Sequence, residues 1–363
     1  MWSTRWVLGA LLLSSTSAAA QTDRVDEFIG AQVRSQRIPG LSVAVVKDGE
    51  IIKAQGYGLA DRELQLRATA ETIFRIASVS KQFIATGIML LYQDGLLGLD
   101  DPIGSYLDDA PRGWQKITIR HLLTHTSGLV REPPGFDPFE SRSDREVIRS
   151  AYDLPLRFQP GEKWEYSNVG YFLLGEIIRT VSGRPWTEYL QDRVFGPTGM
   201  HATHPTNTTA SLPNRAAGYT DNDKVLRVEE WTALRPSGAF LSTVLDMAKW
   251  DAVLYTDRIL HDSTRRQMWT AVTLNDGRTH PYGFGWELGT VRGRRLVHHG
   301  GGGPGIATTF ARFVDDGLTV ILLINLDDVD VDTILNGVAA IYLAPADSSR
   351  LDEPAVALGG RAP

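Results

Sequence analysis

The sequence predicts an α+β protein in which one lobe is built from both ends of the chain and a mostly helical lobe is inserted between them. Three observations lead there. Runs with strand character lie near both ends, at Ser42 to Val46 and Ile51-Ile52 on one side and at Arg295-Leu296-Val297, Thr308 to Val314 and Leu318 to Asn325 on the other. From about Ser78 to Gln267 apolar residues recur at helical spacing, clearest at Phe83, Gly87, Ile88 and Leu91 and again at Tyr171, Leu174, Gly175 and Ile178. The 363 residues are 42% hydrophobic and 22% charged, a globular composition with room for one large or two merged domains.

In chain order, residues 1–20 read as an export signal. Arg5 supplies the charge, Trp6 to Leu13 is an apolar run too short to span a bilayer, and Ala18-Ala19-Ala20 fits a cleavage site before Gln21. No other stretch reaches membrane-spanning length, so no transmembrane anchor is expected. Val25 to Arg34 has helical spacing. Ser42 to Val46 is a buried strand, Asp48-Gly49 a two-residue turn, and Ile51-Ile52 the return strand of a hairpin. Tyr282-Gly283-Phe284-Gly285-Trp286 reads as a further strand, and Asp316-Gly317 as a tight turn between the last two. Asp330 to Leu343 is an amphipathic helix, and residues 345–363, rich in Pro, Ala and Gly, form a loose tail. One domain over 21–344 results, with an α/β lobe from about 25–75 and 280–343 and a helical lobe from about 78–275.

Several classes of function are excluded. Lys and Arg total 37 against 43 Asp and Glu, a net charge of −6, and no long basic run occurs, which argues against nucleic-acid binding. With 0 Cys there is no disulfide, thiolate nucleophile, Cys-based zinc site or lipid-anchoring Cys.

Three short patterns carry chemistry. In Ser78-Val79-Ser80-Lys81 a helical turn places the Lys amine beside the Ser hydroxyl, and an amine made less basic by burial or a neighbouring cation can activate that hydroxyl. In Tyr166-Ser167-Asn168 a phenol can relay a proton and an amide can orient the Lys; Ser167 or Asn168 also suits the start of a helix. In His299-Gly300-Gly301 the glycines leave backbone N–H groups uncovered for an oxyanion, although His298 fits the same frame. Each is weak alone, but all three in this order are expected by chance only about 0.01 times. Gly300-x-Gly302-x-x-Gly305 resembles a dinucleotide fingerprint, but Pro304 and strand-like residues follow where a helix must open. His121 and His125, four apart on an expected helix, could face a metal, yet no Glu follows His121 and packing or hydrogen bonding is the better reading. No G-x-S-x-G elbow surrounds any Ser.

The trio resembles the serine β-lactamase and penicillin-recognising DD-peptidase superfamily, on its class C side. His121 to Leu129 (HLLTHTSGL), Tyr166 to Gly175 (YSNVGYFLLG), Ser237-Gly238 with Ser242-Thr243, and Tyr282 to Trp286 agree with it, and the likeness runs from Val25 to Leu343. The resemblance implies an antiparallel sheet flanked by helices plus a helical lobe, with the site in the cleft. It implies that Ser78 forms an acyl-enzyme, that Lys81 and Tyr166 transfer protons, and that Asn168 positions Lys81 and substrate. Backbone N–H groups of Ser78 and Gly302, just past Gly301, would form the oxyanion hole, and water would release the acyl group. No metal and no organic cofactor is implied, and the partner is a small-molecule or peptide acyl substrate.

His299 stands where β-lactamases usually carry Lys, and Gly300 where a hydroxyl residue is common. A neutral His attracts a substrate carboxylate less than a permanent cation does. Arg292, Arg294 and Arg295 lie close enough in sequence to restore the charge. The expectation is therefore an exported serine hydrolase acting on an ester or amide, as an esterase, D-amino-acid peptidase or DD-peptidase-like enzyme with at most weak β-lactamase activity. The alternative is a non-catalytic relative that binds penicillin or peptidoglycan peptides, whose hallmark would be a lost Ser, Lys or Tyr.

Overall fold

The computed structural model describes residues 21, 24–137, 139–140, 142–208, 211–221, 225–229, 235–238 and 240–343; the export signal and the tail read from the sequence lie outside them. Helix α1 (residues 24–35) leads into strands β1 (Gly40–Lys47), β2 (Glu50–Asp61) and β3 (Leu66–Arg67). Near the other end come β4 (Glu287–Val291), β5 (Arg294–Gly303), β6 (Ile306–Phe313) and β7 (Leu318–Ile324). These strands make one seven-stranded sheet in the order β4-β5-β6-β7-β1-β2-β3, antiparallel at every junction. The two ends of the chain meet where β1 pairs with β7, from Leu41 opposite Ile324 to Lys47 opposite Leu318.

The apolar runs that mark β1 and β7 follow from burial on both faces. Val43, Val45, Val320 and Leu322 point to one side, against Val25 and Ile29 of α1 and Ile334 and Val338 of the last helix, α6 (Val331–Tyr342). Ala44, Val46, Ile321 and Leu323 point to the other and join the larger core under the helices of the inserted segment. That segment holds α2 (Lys81–Gln93), α3 (Ile119–Leu123), α4 (Asn168–Ser182) and α5 (Val244–Val253). The hairpin turn is made by Asp48 at φ 51° and Gly49 at φ 82°, the left-handed pair a two-residue connection requires.

A buried ion pair fastens α5 to the sheet. Arg312 Nε of β6 donates to Asp251 Oδ1 of α5 at 2.7 Å, and Thr319 Oγ1 of β7 donates to the same oxygen at 2.8 Å. The side chains of Arg312 and Asp251 are 2% and 0% exposed. The Tyr255 and Trp269 rings flank the guanidinium, with centroids 4.7 and 5.0 Å from its carbon.

Three local expectations are corrected. Tyr282 to Trp286 is not a strand: Tyr282 makes a single bridge with Glu287, Gly285 turns the chain at φ 76°, and regular pairing starts only at Glu287. The helix expected through His121 and His125 stops at Leu123, and His125 sits beyond it at φ 59°. The central segment, expected to be mostly helical, also holds short strands that its pattern did not announce, since Phe240–Ser242 pairs with both Phe74–Arg75 and His204–Pro205.

Candidate active site

Ser78 lies in a single 3-10 turn, Ala77–Ser80, that runs into α2. The turn is held from both ends by Phe240, whose carbonyl accepts the Ile76 N–H at 3.0 Å and whose N–H donates to Ser80 Oγ at 3.2 Å. Ala77 adopts φ 44°, a left-handed conformation that costs a non-glycine residue on the order of 1 kcal/mol. Its neighbours Ala77, Val79 and Ser80 are buried while Ser78 is only half-buried, so the strained turn offers one hydroxyl to solvent.

Lys81, one turn on, has no exposed surface. Its Nζ lies 3.2 Å from Ser78 Oγ, 2.9 Å from Asn168 Oδ1 and 2.6 Å from the Ser237 carbonyl oxygen. Burial, helped by the charge of Arg131, pushes its amine well below the ordinary 10.5, against the weaker opposing pull of Glu132 and Glu287. The Tyr166 phenol hydrogen-bonds Ser78, and burial raises its own pKa, so it stays protonated. Lys81 Nζ stands 4.8 Å from the Tyr166 ring centroid and 5.2 Å from that of Tyr171. Ser167 caps α4, its hydroxyl accepting the Gly170 N–H at 3.1 Å, and this sets Asn168 at the helix start facing Lys81.

His299 approaches the same group from β5, its buried ring centroid 6.4 Å from that of Tyr166. Backbone groups fix its protonation. The Ser167 N–H donates to His125 Nδ1 at 3.1 Å, so His125 carries its proton on Nε2 and donates to the Tyr282 hydroxyl at 3.1 Å. The Tyr282 hydroxyl then donates to His299 Nε2 at 2.9 Å, and His299 Nδ1–H donates to the Gly300 carbonyl at 2.6 Å. Burial pushes His299 down to about 3 and His298 down to about 4, and keeps His125 well below 6.5. Glu287 accepts the Gly300 N–H and approaches both His298 and His299, at 4.0 and 3.8 Å; burial raises it to about 7.

Beyond His298 opposite Glu287, β5 has no strand partner on the β4 side among the described residues and lies instead against the Ser78 turn. Gly301 is flush with that turn: a Cβ there would meet the Ile76 carbonyl oxygen and Thr308 Oγ1, each at 2.4 Å. A Cβ on Gly302 would meet only the Ile306 carbonyl oxygen, at 4.0 Å, so there is open space beside it.

The beta-lactamase family model matches residues 25–343 of this sequence. The chain belongs to that family. Among its relatives is penicillin-binding protein 4* of Bacillus subtilis (strain 168), 31% identical over 309 residues that make up 79% of this chain and 68% of the relative. The D-aminopeptidase of Gluconobacter oxydans (strain 621H) is 30% identical over 303 residues, 79% of this chain, which spans only 56% of that longer protein. Among solved structures, D-amino acid amidase from Ochrobactrum anthropi SV3, complexed with D-phenylalanine, superposes with a TM-score of 0.78 at 27% identity, covering 90% of this chain and 99% of the amidase. The octameric penicillin-binding protein homologue from Pyrococcus abyssi also gives 0.78 at 27% identity, covering 88% and 77%.

In this beta-lactamase-family chain the three sequence patterns converge on one site: Lys81 contacts Ser78 and Asn168 and lies against the Tyr166 ring, Tyr166 bonds Ser78, and His299, Gly301 and Gly302 lie along the neighbouring strand. His121 stands apart, its Nδ1 accepting the Thr118 N–H at 3.1 Å at the start of α3. Among the described residues no group of three or more His, Cys, Asp or Glu could hold a metal ion. Two of the three arginines near the third pattern are committed elsewhere: Arg294 pairs with Asp316 and Arg295 with Asp315, at the end of β5 remote from His299, and Arg292 lies in the turn before that end at φ 53°. The Ser237 carbonyl, the His125–Tyr282 link and Glu132, whose Oε1 accepts from Asn168 Nδ2 at 3.0 Å, were not read as site groups from the sequence. Ser237, His125 and Tyr282 do fall in stretches that agree with the family.

The buried histidines carry a testable consequence. A His whose folded pKa lies below its unfolded 6.5 contributes stability above that value and loses it as pH falls toward the folded pKa. For His298 the window runs from about 6.5 to about 4. His298→Gln is expected to gain on wild type by up to about 1.4 kcal/mol per pH unit as pH falls through that window. Urea denaturation of both proteins from pH 7 to 4 measures the difference; a constant difference would contradict it.

Proposed function

We propose that this chain is a serine hydrolase that acylates Ser78 with an ester or amide substrate and then releases the acyl group to water. One observation carries the reading. A neutral Lys81 amine has two hydrogens and one lone pair. Two pure acceptors, Asn168 Oδ1 and the Ser237 carbonyl, take the hydrogens, and the lone pair is left for the Ser78 hydroxyl proton. Burial and the charge of Arg131 favour that neutral form.

The steps follow. Ser78 Oγ bonds to the acyl carbon as its proton passes to Lys81 Nζ. The backbone N–H groups of Ser78 and Gly302 receive the developing oxyanion. The Tyr166 phenol gives its proton to the leaving group as the acyl bond breaks, and recovers one from the Lys81 ammonium. Water then attacks the acyl carbon and gives its proton to Lys81; as the bond from that carbon to Ser78 Oγ breaks, the proton passes from Lys81 to Ser78 Oγ, which restores the hydroxyl and the neutral amine. With His299 neutral and hydrogen-bonded at both ring nitrogens, the site lacks the cation that β-lactamases usually place there. That favours an esterase, D-amino-acid peptidase or DD-peptidase-like activity over efficient β-lactam hydrolysis. The reading includes export, on the Arg5 to Ala20 pattern; no described helix is long and apolar enough to cross a membrane.

Intact-protein mass spectrometry tests this with an activated short-chain ester and, separately, a fluorescent penicillin, each against Ser78→Ala. Ester turnover through an adduct lost in the variant is the expected result. A stable penicillin adduct lost in the variant would mark a penicillin-recognising peptidase. Neither adduct nor turnover from folded protein would remove the hydrolase reading.

A further inference from the structure

We propose that the guanidinium of Arg131 binds a carboxylate carried by the substrate. This deepens the serine-hydrolase reading and rests on it. Three observations lead to Arg131. First, the third pattern presents no charge, because His299 is neutral and its two ring nitrogens are occupied by Tyr282 and Gly300. Second, the arginines of β5 are committed to Asp315 and Asp316. Third, Arg131 is a cation over the ring of Tyr166, the residue that bonds Ser78, with no carboxylate at ion-pair distance among the described residues.

Its fixity comes from the backbone. The Arg131 carbonyl accepts the Asn168 N–H at 2.9 Å and the Val169 N–H at 3.3 Å, which clamps the residue onto the first turn of α4. Its side chain is half-buried, and the guanidinium carbon lies 5.3 Å from the centroid of the Tyr166 ring, whose hydroxyl contacts Ser78. The adjacent carboxylate, Glu132, turns to Asn168 instead. Other arginines of the same segment are paired: Arg145 with Glu176, Arg149 with Asp109 and Arg157 with Glu165. A stacked, partly desolvated guanidinium keeps its forked N–H donors, and a carboxylate matches that fork in shape and charge. A bound carboxylate would also offset the Arg131 charge that, with burial, makes Lys81 less basic, and would strengthen the base once substrate is in place.

The test uses the full chain carrying Ser78→Ala, so that esters bind without turning over. Two matched pairs are titrated by calorimetry. In 4-nitrophenyl hydrogen adipate and its neutral methyl ester the carboxylate is on the acyl side. In 3-carboxyphenyl hexanoate and its methyl ester it is on the leaving group. The anionic member of one pair is expected to bind about 10- to 100-fold more tightly than its neutral partner, and which pair does so reports the side of the scissile bond that Arg131 serves. The advantage shrinks as salt is raised, disappears with Arg131→Gln, and is partly kept with Arg131→Lys, which retains the charge without the fork. The Lys variant, checked by thermal melting, guards against a Gln variant that merely unfolds. Equal affinity within both pairs, or a preference that survives Arg131→Gln, overturns the proposal. Wild-type turnover of the two methyl esters is a separate readout: its absence beside an intact anion preference would sink the hydrolase reading and leave the anion site standing.

Discussion

Lys81→Met is expected to lower acylation of Ser78 by on the order of 10^4-fold while changing folding stability little. The rate loss follows from removing the base of a nucleophile–base unit, whose members act together. The small stability change is a balance. The variant no longer confines an amine with no exposed surface, but it leaves Asn168 Oδ1 and the Ser237 carbonyl without their donor, and each effect is worth about 1–3 kcal/mol. Stopped-flow acylation and thermal melting on the same preparation measure both. In wild type the acylation rate should rise with pH and level off well below 10.5, because Lys81 must lose its proton to act and is pushed down by burial. Rapid acylation by Lys81→Met at neutral pH would move the base role to Tyr166.

Arg312→Leu should cost about 3–5 kcal/mol of stability, read as a fall in urea midpoint, although Arg312 touches no part of the cleft. The loss arises because Asp251 stays buried with only Thr319 to answer it. The pair itself is imperfectly satisfied, since Asp251 Oδ2 and Arg312 Nη1 lack partners. The double variant Asp251→Leu/Arg312→Leu should therefore recover most of the loss. If the double variant were as unstable as the single one, the packing of the guanidinium between the Tyr255 and Trp269 rings would matter more than its ion pair.

What could be read in advance follows physical lines. The sheet was legible at β1 and β7 because strands buried on both faces leave unbroken apolar runs. That Ser78, Lys81, Tyr166 and Asn168 come together could be anticipated because the proposed acyl transfer asks for those side-chain types at short, fixed separations. Tyr282 to Trp286 misled because alternating aromatic and glycine residues imitate a period of two, while Gly285 supplies a left-handed turn that pattern cannot register. His121 and His125 misled in the same way, since their spacing of four means a shared face only while the helix lasts, and it ends at Leu123. The Ser237 carbonyl left no signal, because every residue has a carbonyl and only the fold aims this one at Lys81. Arg131 could not be singled out by composition in a chain whose basic residues are mostly arginine.

The pairing of β1 with β7 bears on when the chemistry can begin. The central seam of the sheet joins residues 271 to 283 positions apart, from Lys47 opposite Leu318 to Leu41 opposite Ile324, so a large loop must close before it can form. The glycine stretch of β5 reaches the Ser78 turn only as part of that sheet. In a half-folded chain Lys81 is hydrated and keeps its proton, and Ser78 is an ordinary alcohol. On the proposed mechanism, the same topology that slows folding keeps Ser78 dormant until the molecule is complete, and spares any partly folded intermediate from attacking what lies around it.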